Sequence, residues 1–346
     1  MKGPLHILRR VWLRLSEHRR RARFARSLRR VSGHDSFDLG PEDVLAIVLV
    51  KNGAYYLDQF LSYYRQIGIR HFAFIDNGST DDTLARLAEE PGVIVDQSDL
   101  ALAQYEDLLR AHPAQTYGRN RWCLYVDMDE VFDFEGRSDH GIHALTSYMT
   151  ARGHNALVAQ MLEMFPKEPL SAVAEMPFAD ALEAFRYFDI STVTRQDYHD
   201  PAIPFSALLR GNQTATPAIQ FYFGGVRGKV FGERCCLTKH PLIFNGPGVT
   251  PAPHPHLSMG VTCTDFSAVI KHYKFAGDAA ARDRASQRTG ALAHGEDAAR
   301  AAVMARGDVT LFSLDARRWN RVELLVRAGF LVGSADYHAH LESLRG

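Results

Sequence analysis

Two carboxylates separated by one residue follow an apolar stretch of the chain. Asp127 and Asp129 flank Met128 directly after residues 122–126. In an extended segment alternate side chains point the same way, so both carboxylates can face one cavity. Two like charges held close together repel unless a cation screens them. Mg²⁺ and Mn²⁺ bind one or two carboxylates together with substrate phosphates, so the pair indicates a divalent-metal site. Taken alone, it also fits a solvated acidic turn.

A second polar cluster, Asp76-Asn77-Gly78-Ser79-Thr80-Asp81-Asp82-Thr83, follows the apolar residues 71–75. A carboxylate at a strand end, here Asp76, can accept hydrogen bonds from a base or a ribose. Gly78 allows positive φ and a close backbone approach. Ser79 and Thr80 can cap the following helix, whose amino end favours anions. The alternative is a plain strand–turn–helix connection without a ligand.

The apolar segments around these clusters predict an α/β fold. Continuous apolar runs at 44–50, 71–75, 93–95 and 122–126 are typical of buried parallel strands, and helical spacing appears at 55–67 and 80–89. This alternation predicts a doubly wound, mostly parallel sheet flanked by helices. Ligand-binding groups of such sheets lie at the carboxyl ends of the strands, where both polar clusters fall. A further strand is expected at 156–164. The chain after 278 is expected to be helical, including 297–304 and 317–328.

Three motifs in order along the chain resemble a known family. Val50-Lys51-Asn52, the cluster that begins at Asp76, and Tyr125-Val126-Asp127-Met128-Asp129-Glu130 resemble the nucleotide-sugar half of family 2 glycosyltransferases, which have the GT-A fold. More narrowly, the motifs resemble a bacterial branch whose metal motif reads Asp-x-Asp-Glu followed by an aromatic residue, here Val131-Phe132. The resemblance covers residues 44–134 well and extends more weakly to about 285. Gly53 departs from it, because relatives usually carry Glu there.

The resemblance implies roles for individual residues. It places a divalent ion, Mn²⁺ or Mg²⁺, on Asp127, Asp129 and His272. The acceptor hydroxyl needs a carboxylate base, and Glu163, at the end of an apolar strand, is slightly favoured over Glu233 and Asp180. The residues expected to bind the donor are Asn52, Asp76, Asn77, Asp127, Arg227 and Lys274.

The expected function is therefore a metal-dependent glycosyltransferase. It would move a sugar from a UDP- or GDP-type nucleoside-diphosphate sugar to a hydroxyl of a glycan or glycolipid acceptor, with inversion, in bacterial polysaccharide or glycolipid synthesis. The alternative is a catalytically degenerate GT-A domain that serves as a nucleotide-binding or membrane-recruitment module, and Gly53 is its best support. A nucleotidyltransferase would want a glycine-rich basic loop near its amino end, which the sequence lacks.

Charge is distributed unevenly along the chain of 346 residues. The formal net charge is zero, yet residues 1–30 hold Lys2 and ten arginines against Glu17 alone, a net +10. Leu5, Leu8, Trp12 and Leu15 recur at helical spacing, which predicts a basic amphipathic helix over 5–30. One interpretation is contact with an anionic membrane surface, and the other is a solvated helix packed on the protein or a partly disordered arm. Nucleic acid is not expected as a partner.

The expected organisation has four parts. Residues 1–40 form the basic helix and a linker, 41–135 the nucleotide-sugar-binding half, 136–277 the acceptor-binding and catalytic half, and 278–346 a helical extension. No apolar stretch is long enough for a membrane-spanning helix. The expected location is cytoplasmic. The basic helix adds the alternative of peripheral attachment to the inner face of the membrane.

Overall fold

A computed structural model describes residues 4–289 and 296–345. Its architecture is α/β, with a large mixed, mostly parallel sheet flanked by helices. The strands are β1 (Arg29–Ser32), β2 (Val44–Val50), β3 (His71–Asp76), β4 (Val93–Gln97), β5 (Trp122–Tyr125), β6 (Glu130–Asp133), β7 (Ala156–Glu163), β8 (Tyr187–Phe188), β9 (Val193–Asp197), β10 (Gln213–Thr214), β11 (Gln220–Gly224), β12 (Thr238–Phe244), β13 (Thr250–His254), β14 (Leu257–Met259), β15 (Thr262–His272) and β16 (Arg317–Arg318). The α-helices are α1 (Pro4–Ser27), α2 (Leu57–Gln66), α3 (Thr83–Ala88), α4 (Leu102–Thr116), α5 (Arg137–His140), α6 (Ile142–Ala151), α7 (Phe178–Ala184), α8 (Ser206–Leu209), α9 (Gly225–Phe231), α10 (Ala279–Thr289), α11 (Glu296–Met304), α12 (Val322–Arg327) and α13 (Ala335–Ser343). A 3₁₀ helix covers Leu170–Val173.

The central sheet has ten strands in the order β1-β4-β3-β2-β5-β12-β7-β15-β10, with β6 paired to β15. The four strands β4, β3, β2 and β5 are parallel neighbours. β12 runs antiparallel to both β5 and β7, and thereby joins the strands of segment 41–135 to those of segment 136–277. Both predicted halves therefore contribute to one sheet.

The strands next to the site are buried because helices cover both faces of the sheet. β2 reads Val-Leu-Ala-Ile-Val-Leu-Val, and six of its seven residues are buried. All eight residues of β7 are buried. α2 packs Leu57, Phe60, Leu61 and Tyr64 into the same core. Full burial of one such side chain stabilises the folded state by about 1.5–3 kcal/mol. This packing therefore determines where the strands end and where the loops begin.

The predicted strands at 44–50, 71–75, 93–95, 122–126 and 156–164 are confirmed, each to within about two residues. One expectation needs correction. The predicted helix over 317–328 is shorter, because β16 pairs with β8 and α12 begins only at Val322. β12, in the middle of the sheet, was not predicted.

β1, which follows α1, is attached to β4 through the buried carboxylate of Asp96. Asp96 accepts hydrogen bonds from Arg30 Nε at 2.8 Å and from the Tyr117 hydroxyl at 2.5 Å, and it lies 2.9 Å from His112 Nε2. Burial disfavours the ionised carboxylate, but these hydrogen bonds outweigh burial and lower the pKa of Asp96 to about 2.

We expect this lowered pKa to appear as acid sensitivity. A carboxylate whose folded pKa lies below its unfolded pKa stabilises the fold above the unfolded value, and this stabilisation is lost as the pH falls through the folded value. Asp96 should therefore contribute about 1 kcal/mol, allowing for solvent screening of its partners, and this contribution should disappear between about pH 4 and pH 2. Urea unfolding of the wild type and Asp96→Asn across this range measures it. Parallel pH curves for the two proteins would contradict the expectation.

Candidate functional site

Three chain segments that are far apart in sequence meet at the carboxyl edge of β2, β3 and β5. The parallel register places Val50 beside Asp76 and Ile47 beside Tyr125, so the loops after these strands adjoin. A cavity of about 670 Å³ opens between these loops and the start of α4. Its lining includes Asn52, Asn77, Arg110, Asp127, Asp129 and Arg282.

The loop after β3 is organised around Asp76, which is fully buried. Its carboxylate accepts hydrogen bonds from the backbone N–H of Gly78 at 2.9 Å and of Ser79 at 3.1 Å, and from Gln97 Nε2 at 2.6 Å. Asn77 donates from Nδ2 to the carbonyl oxygens of Ser98 and Leu100, at 2.7 and 2.8 Å. Asp76 thus orders the loop from inside, whereas Asn77 lines the cavity and bonds to segment 98–101, of which residues 99–101 also line the cavity. A direct contact between Asp76 and a donor stays a prediction.

The loop after β2 is locked to the loop after β3. Asn52 has a positive φ of 55°, and its Oδ1 accepts a hydrogen bond from the backbone N–H of Thr80 at 2.7 Å. Its own backbone N–H donates to Ser79 Oγ at 2.8 Å. Asn tolerates this left-handed conformation better than most residues, because its short polar side chain bonds locally. Asn52 therefore sets the spacing between two walls of the cavity.

Gly53 follows Asn52 in the chain. The glycosyltransferase family that the sequence resembles usually carries Glu at this position. A Cβ at this position would lie 2.6 Å from Val50 Cγ2 and 3.3 Å from Met128 Cε. The neighbouring side chains thus fill the space that a larger residue would need.

Asp127 is paired with two cations. Its carboxylate lies 3.0 Å from Arg110 Nη1 and 3.2 Å from Lys239 Nζ, and Lys239 also forms an ion pair with Glu130. Burial alone would raise the pKa of Asp127, but the charges of Arg110 and Lys239 outweigh burial and hold this pKa well below its usual range. A metal on Asp127 would have to share the carboxylate with these two cations.

A line of contacts lies beside Asp127 and joins Asp129, His272 and Glu163. β15 lies between β6 and β7, and its register places His272 next to Glu130 on one side and Glu163 on the other. His272 Nδ1 contacts Glu163 Oε1 at 2.5 Å, and its Nε2 lies 3.3 Å from Asp129 Oδ2. Burial disfavours the imidazolium, but the two carboxylates outweigh it and raise the pKa of His272 to about 9.

Asp129 and His272 fit a divalent metal that shares its remaining ligands with a substrate. A carboxylate behind a histidine, as Glu163 stands behind His272, fixes the tautomer whose second nitrogen can bind a metal. A cation between Asp129 and Nε2 would replace the proton that the pair shares. Among the described residues no group of three or more His, Cys, Asp or Glu side chains is arranged to hold a metal by itself. Such a site would therefore depend on phosphate oxygens and water.

Behind this line lies a buried network of alternating charges. Arg227 on α9 forms an ion pair with Glu233 and lies 3.7 Å from Glu163 Oε1. Arg300 on α11, only 1% exposed, donates to Glu233 at 2.8 Å and to both carboxylate oxygens of Asp283 at 2.7 and 2.8 Å. The network connects the predicted metal ligands to the carboxyl-terminal helices. Arg227 lies in this network and does not line the cavity, so its predicted donor contact is not visible here.

The three candidate bases are not brought together. Glu163 and Glu233 are buried in the charge network, whereas Asp180 is exposed on α7. None of the three lines the cavity of about 670 Å³. Burial would raise the pKa of Glu163, but His272 and Arg227 lower it, so its carboxylate is charged and already paired. The assignment of the base to one of them stays a prediction.

Lys274 lies close to the network and not in the cavity lining. Burial and the positive charges of Arg227 and Arg300 lower the pKa of its ammonium group. Its backbone carbonyl accepts a hydrogen bond from Arg282 Nη2 at 2.7 Å, and Arg282 reaches the cavity. A phosphate contact of Lys274 itself stays a prediction.

Sequence reasoning missed five charged residues of this region: Arg110, Lys239, Arg282, Asp283 and Arg300. Arg110 lies on α4 with helical neighbours, and nothing in its local sequence separates it from the other arginines of the chain. Lys239 contacts Asp127, although the two residues are 112 positions apart in the sequence. Only the folded sheet brings these partners together. No protein-family model matches the chain, and no curated protein matches its sequence.

Proposed function

We propose that the protein is a GT-A-type glycosyltransferase that moves a sugar from a nucleoside-diphosphate sugar to an acceptor hydroxyl, with Mn²⁺ or Mg²⁺ as cofactor. The acceptor proposed is a glycan or glycolipid of bacterial polysaccharide or glycolipid synthesis. The observation that carries this proposal is the cavity at the carboxyl edge of the parallel strands. Asn52, Asn77, Asp127 and Asp129, which come from the three motifs that resemble this family, all line it.

The size and charge of the cavity support a nucleotide ligand. Its volume of about 670 Å³ lies within the range of about 300–1,000 Å³ that is typical of small-molecule sites. Arg110 and Arg282 add positive charge near the paired aspartates. This combination of carboxylates and guanidinium groups suits a diphosphate. The carboxylates would bind it through a metal cation, and the guanidinium groups would bind its oxygens directly.

The proposed chemistry divides the work among the residues of the site. Asp129 and His272 would hold the metal, which when bound neutralises charge on the departing diphosphate. Glu163 orients His272 through Nδ1. Arg110, which is held beside the cavity by Glu106 and Asp127, can donate to phosphate oxygens.

A second candidate is a nucleotide-binding module of the same fold without turnover. Two observations favour it: Asp127 is engaged by Arg110 and Lys239, and Gly53 leaves no carboxylate where the family usually has one. The two candidates differ in donor turnover, because both would bind a nucleoside diphosphate. Hydrolysis or transfer of a sugar separates them.

We expect Mn²⁺ together with UDP or GDP to raise the melting temperature of the protein. A ligand at about 100 times its Kd stabilises the folded state by about 2.7 kcal/mol, which corresponds to a shift of about 4 °C for a chain of this length. EDTA should remove most of the shift. A screen of nucleotide sugars for metal-dependent hydrolysis then tests turnover. A shift without hydrolysis of any donor would favour the binding module, and no shift with any nucleotide would contradict both candidates.

A further inference from the structure

The first described apolar side chains of α1 are exposed to solvent. Trp12 is 67% exposed, Leu13 49% and Leu15 52%. Large apolar side chains side by side in water are unfavourable, and contiguous exposed apolar groups mark interaction surfaces. This part of the helix therefore presents an apolar surface that remains to be covered.

The second half of α1 is attached firmly to the body of the protein. Phe24 is buried against Tyr105, Leu108 and Leu109 of α4. Arg20 Nη2 forms an ion pair with Asp107 at 2.6 Å. The exposed part of the helix consequently projects from a fixed base and is not a free tail.

Basic residues lie on the same face of α1 as Trp12 and Leu15. Trp12, Leu15, Arg19, Arg23 and Arg26 follow one another at spacings of three, four, four and three, so they share one face. The three arginines are exposed and form no ion pair with residues that the structure describes. One face of α1 thus carries apolar groups in its first part and unpaired positive charge in its second.

We propose that this face of α1 binds an anionic lipid surface. Trp and Leu side chains enter the boundary between headgroups and acyl chains, and arginines contact lipid phosphates. The charge of the segment favours this partner, since residues 1–30 carry a net +10 while the rest of the chain carries a balancing negative charge. Nucleic acid is disfavoured, because Trp12 is the one aromatic side chain on this face and offers no series of stacking platforms.

Vesicle binding of the full chain tests this proposal independently of any transferase activity. We expect sedimentation with vesicles that contain phosphatidylglycerol and little with vesicles of phosphatidylcholine alone, with binding that weakens as salt increases. The triple variant R19Q/R23Q/R26Q should bind about 100-fold more weakly, as three lost lipid contacts imply. W12A/L15A should bind at least about 10-fold more weakly. Equal binding to both vesicle types, or none to either, would overturn the proposal.

Matched controls separate this face from general charge and hydrophobicity. Leu314→Ala removes another exposed leucine. The triple variant R119Q/R210Q/R317Q removes three exposed arginines outside α1. Both should bind anionic vesicles as the wild type does. Tighter binding to a DNA duplex than to anionic vesicles at physiological salt, lost in R19Q/R23Q/R26Q, would assign the face to nucleic acid and refute the lipid partner.

Discussion

Asp129→Asn is expected to lower metal-dependent donor turnover by about 10³-fold while the fold is kept. The substitution preserves the shape of the side chain but removes the charge that faces His272 Nε2 at 3.3 Å. A divalent metal stabilises the departing diphosphate by several kcal/mol, and each 1.36 kcal/mol corresponds to a factor of ten in rate. Donor hydrolysis with Mn²⁺, measured on protein with unchanged circular dichroism, gives the effect.

Two further measurements distinguish a metal ligand from a residue that merely supports the loop. Nucleotide affinity in EDTA should be similar in wild type and Asp129→Asn, whereas the increase in affinity with Mn²⁺ should be lost in the variant. Asp82→Asn is the matched control, because Asp82 is exposed before α3 and its side chain makes no capping hydrogen bond. Turnover of Asp129→Asn within about threefold of wild type would remove Asp129 from the proposed site.

Arg300→Leu is expected to lower the free energy of unfolding by about 3–5 kcal/mol. Arg300 is buried and pairs with both Glu233 and Asp283, at 2.8 and 2.7 Å. Removing the cation leaves two carboxylates in a poorly hydrated region, and the loss of one partner of a buried ion pair costs this much in general. Urea denaturation at neutral pH measures the difference.

Arg288→Leu is the control for Arg300→Leu, since Arg288 is exposed on α10 and its replacement should change stability by less than about 0.5 kcal/mol. The double variant R300L/D283L should recover part of the loss, because it also removes the Asp283 carboxylate, whose partner Arg300 is lost, whereas Glu233 keeps its ion pair with Arg227. A loss below about 1 kcal/mol in Arg300→Leu would show that the network does not hold the carboxyl-terminal helices to the sheet.

The strands that position the site could be predicted because their signal is local. A continuous apolar run such as Val44–Val50 is buried on both faces, and the polar residues after it must then lie at the sheet edge. The placement of Asn52, Asn77, Asp127 and Asp129 around one cavity follows from that rule and the order of the motifs. The resemblance to a family added proposed roles for these residues, and the structure adds their partners.

β12 could not be predicted because its sequence argues against a central strand. It contains Lys239 and Pro241, and proline removes a backbone donor from the sheet. The structure accommodates Pro241 at an irregularity, where the register with β7 shifts between Lys239 and Leu242. Lys239 is tolerated because Asp127 and Glu130 neutralise it. Both compensations depend on residues far away in sequence.

The contact between Ser27 and Ser98 has a consequence for how an acceptor would be found. The two hydroxyl oxygens lie 2.7 Å apart, so α1 ends at Ser98, next to residues 99–101, which line the cavity. At about 1.5 Å per residue, Trp12 lies only about 22 Å along the helix from this contact. A protein held on a bilayer through α1 would keep its pocket near the lipid, and an acceptor anchored in the same leaflet would reach it by lateral diffusion. Lipid-linked acceptors would then react faster than their water-soluble counterparts, and detaching the helix from the vesicle would abolish this advantage.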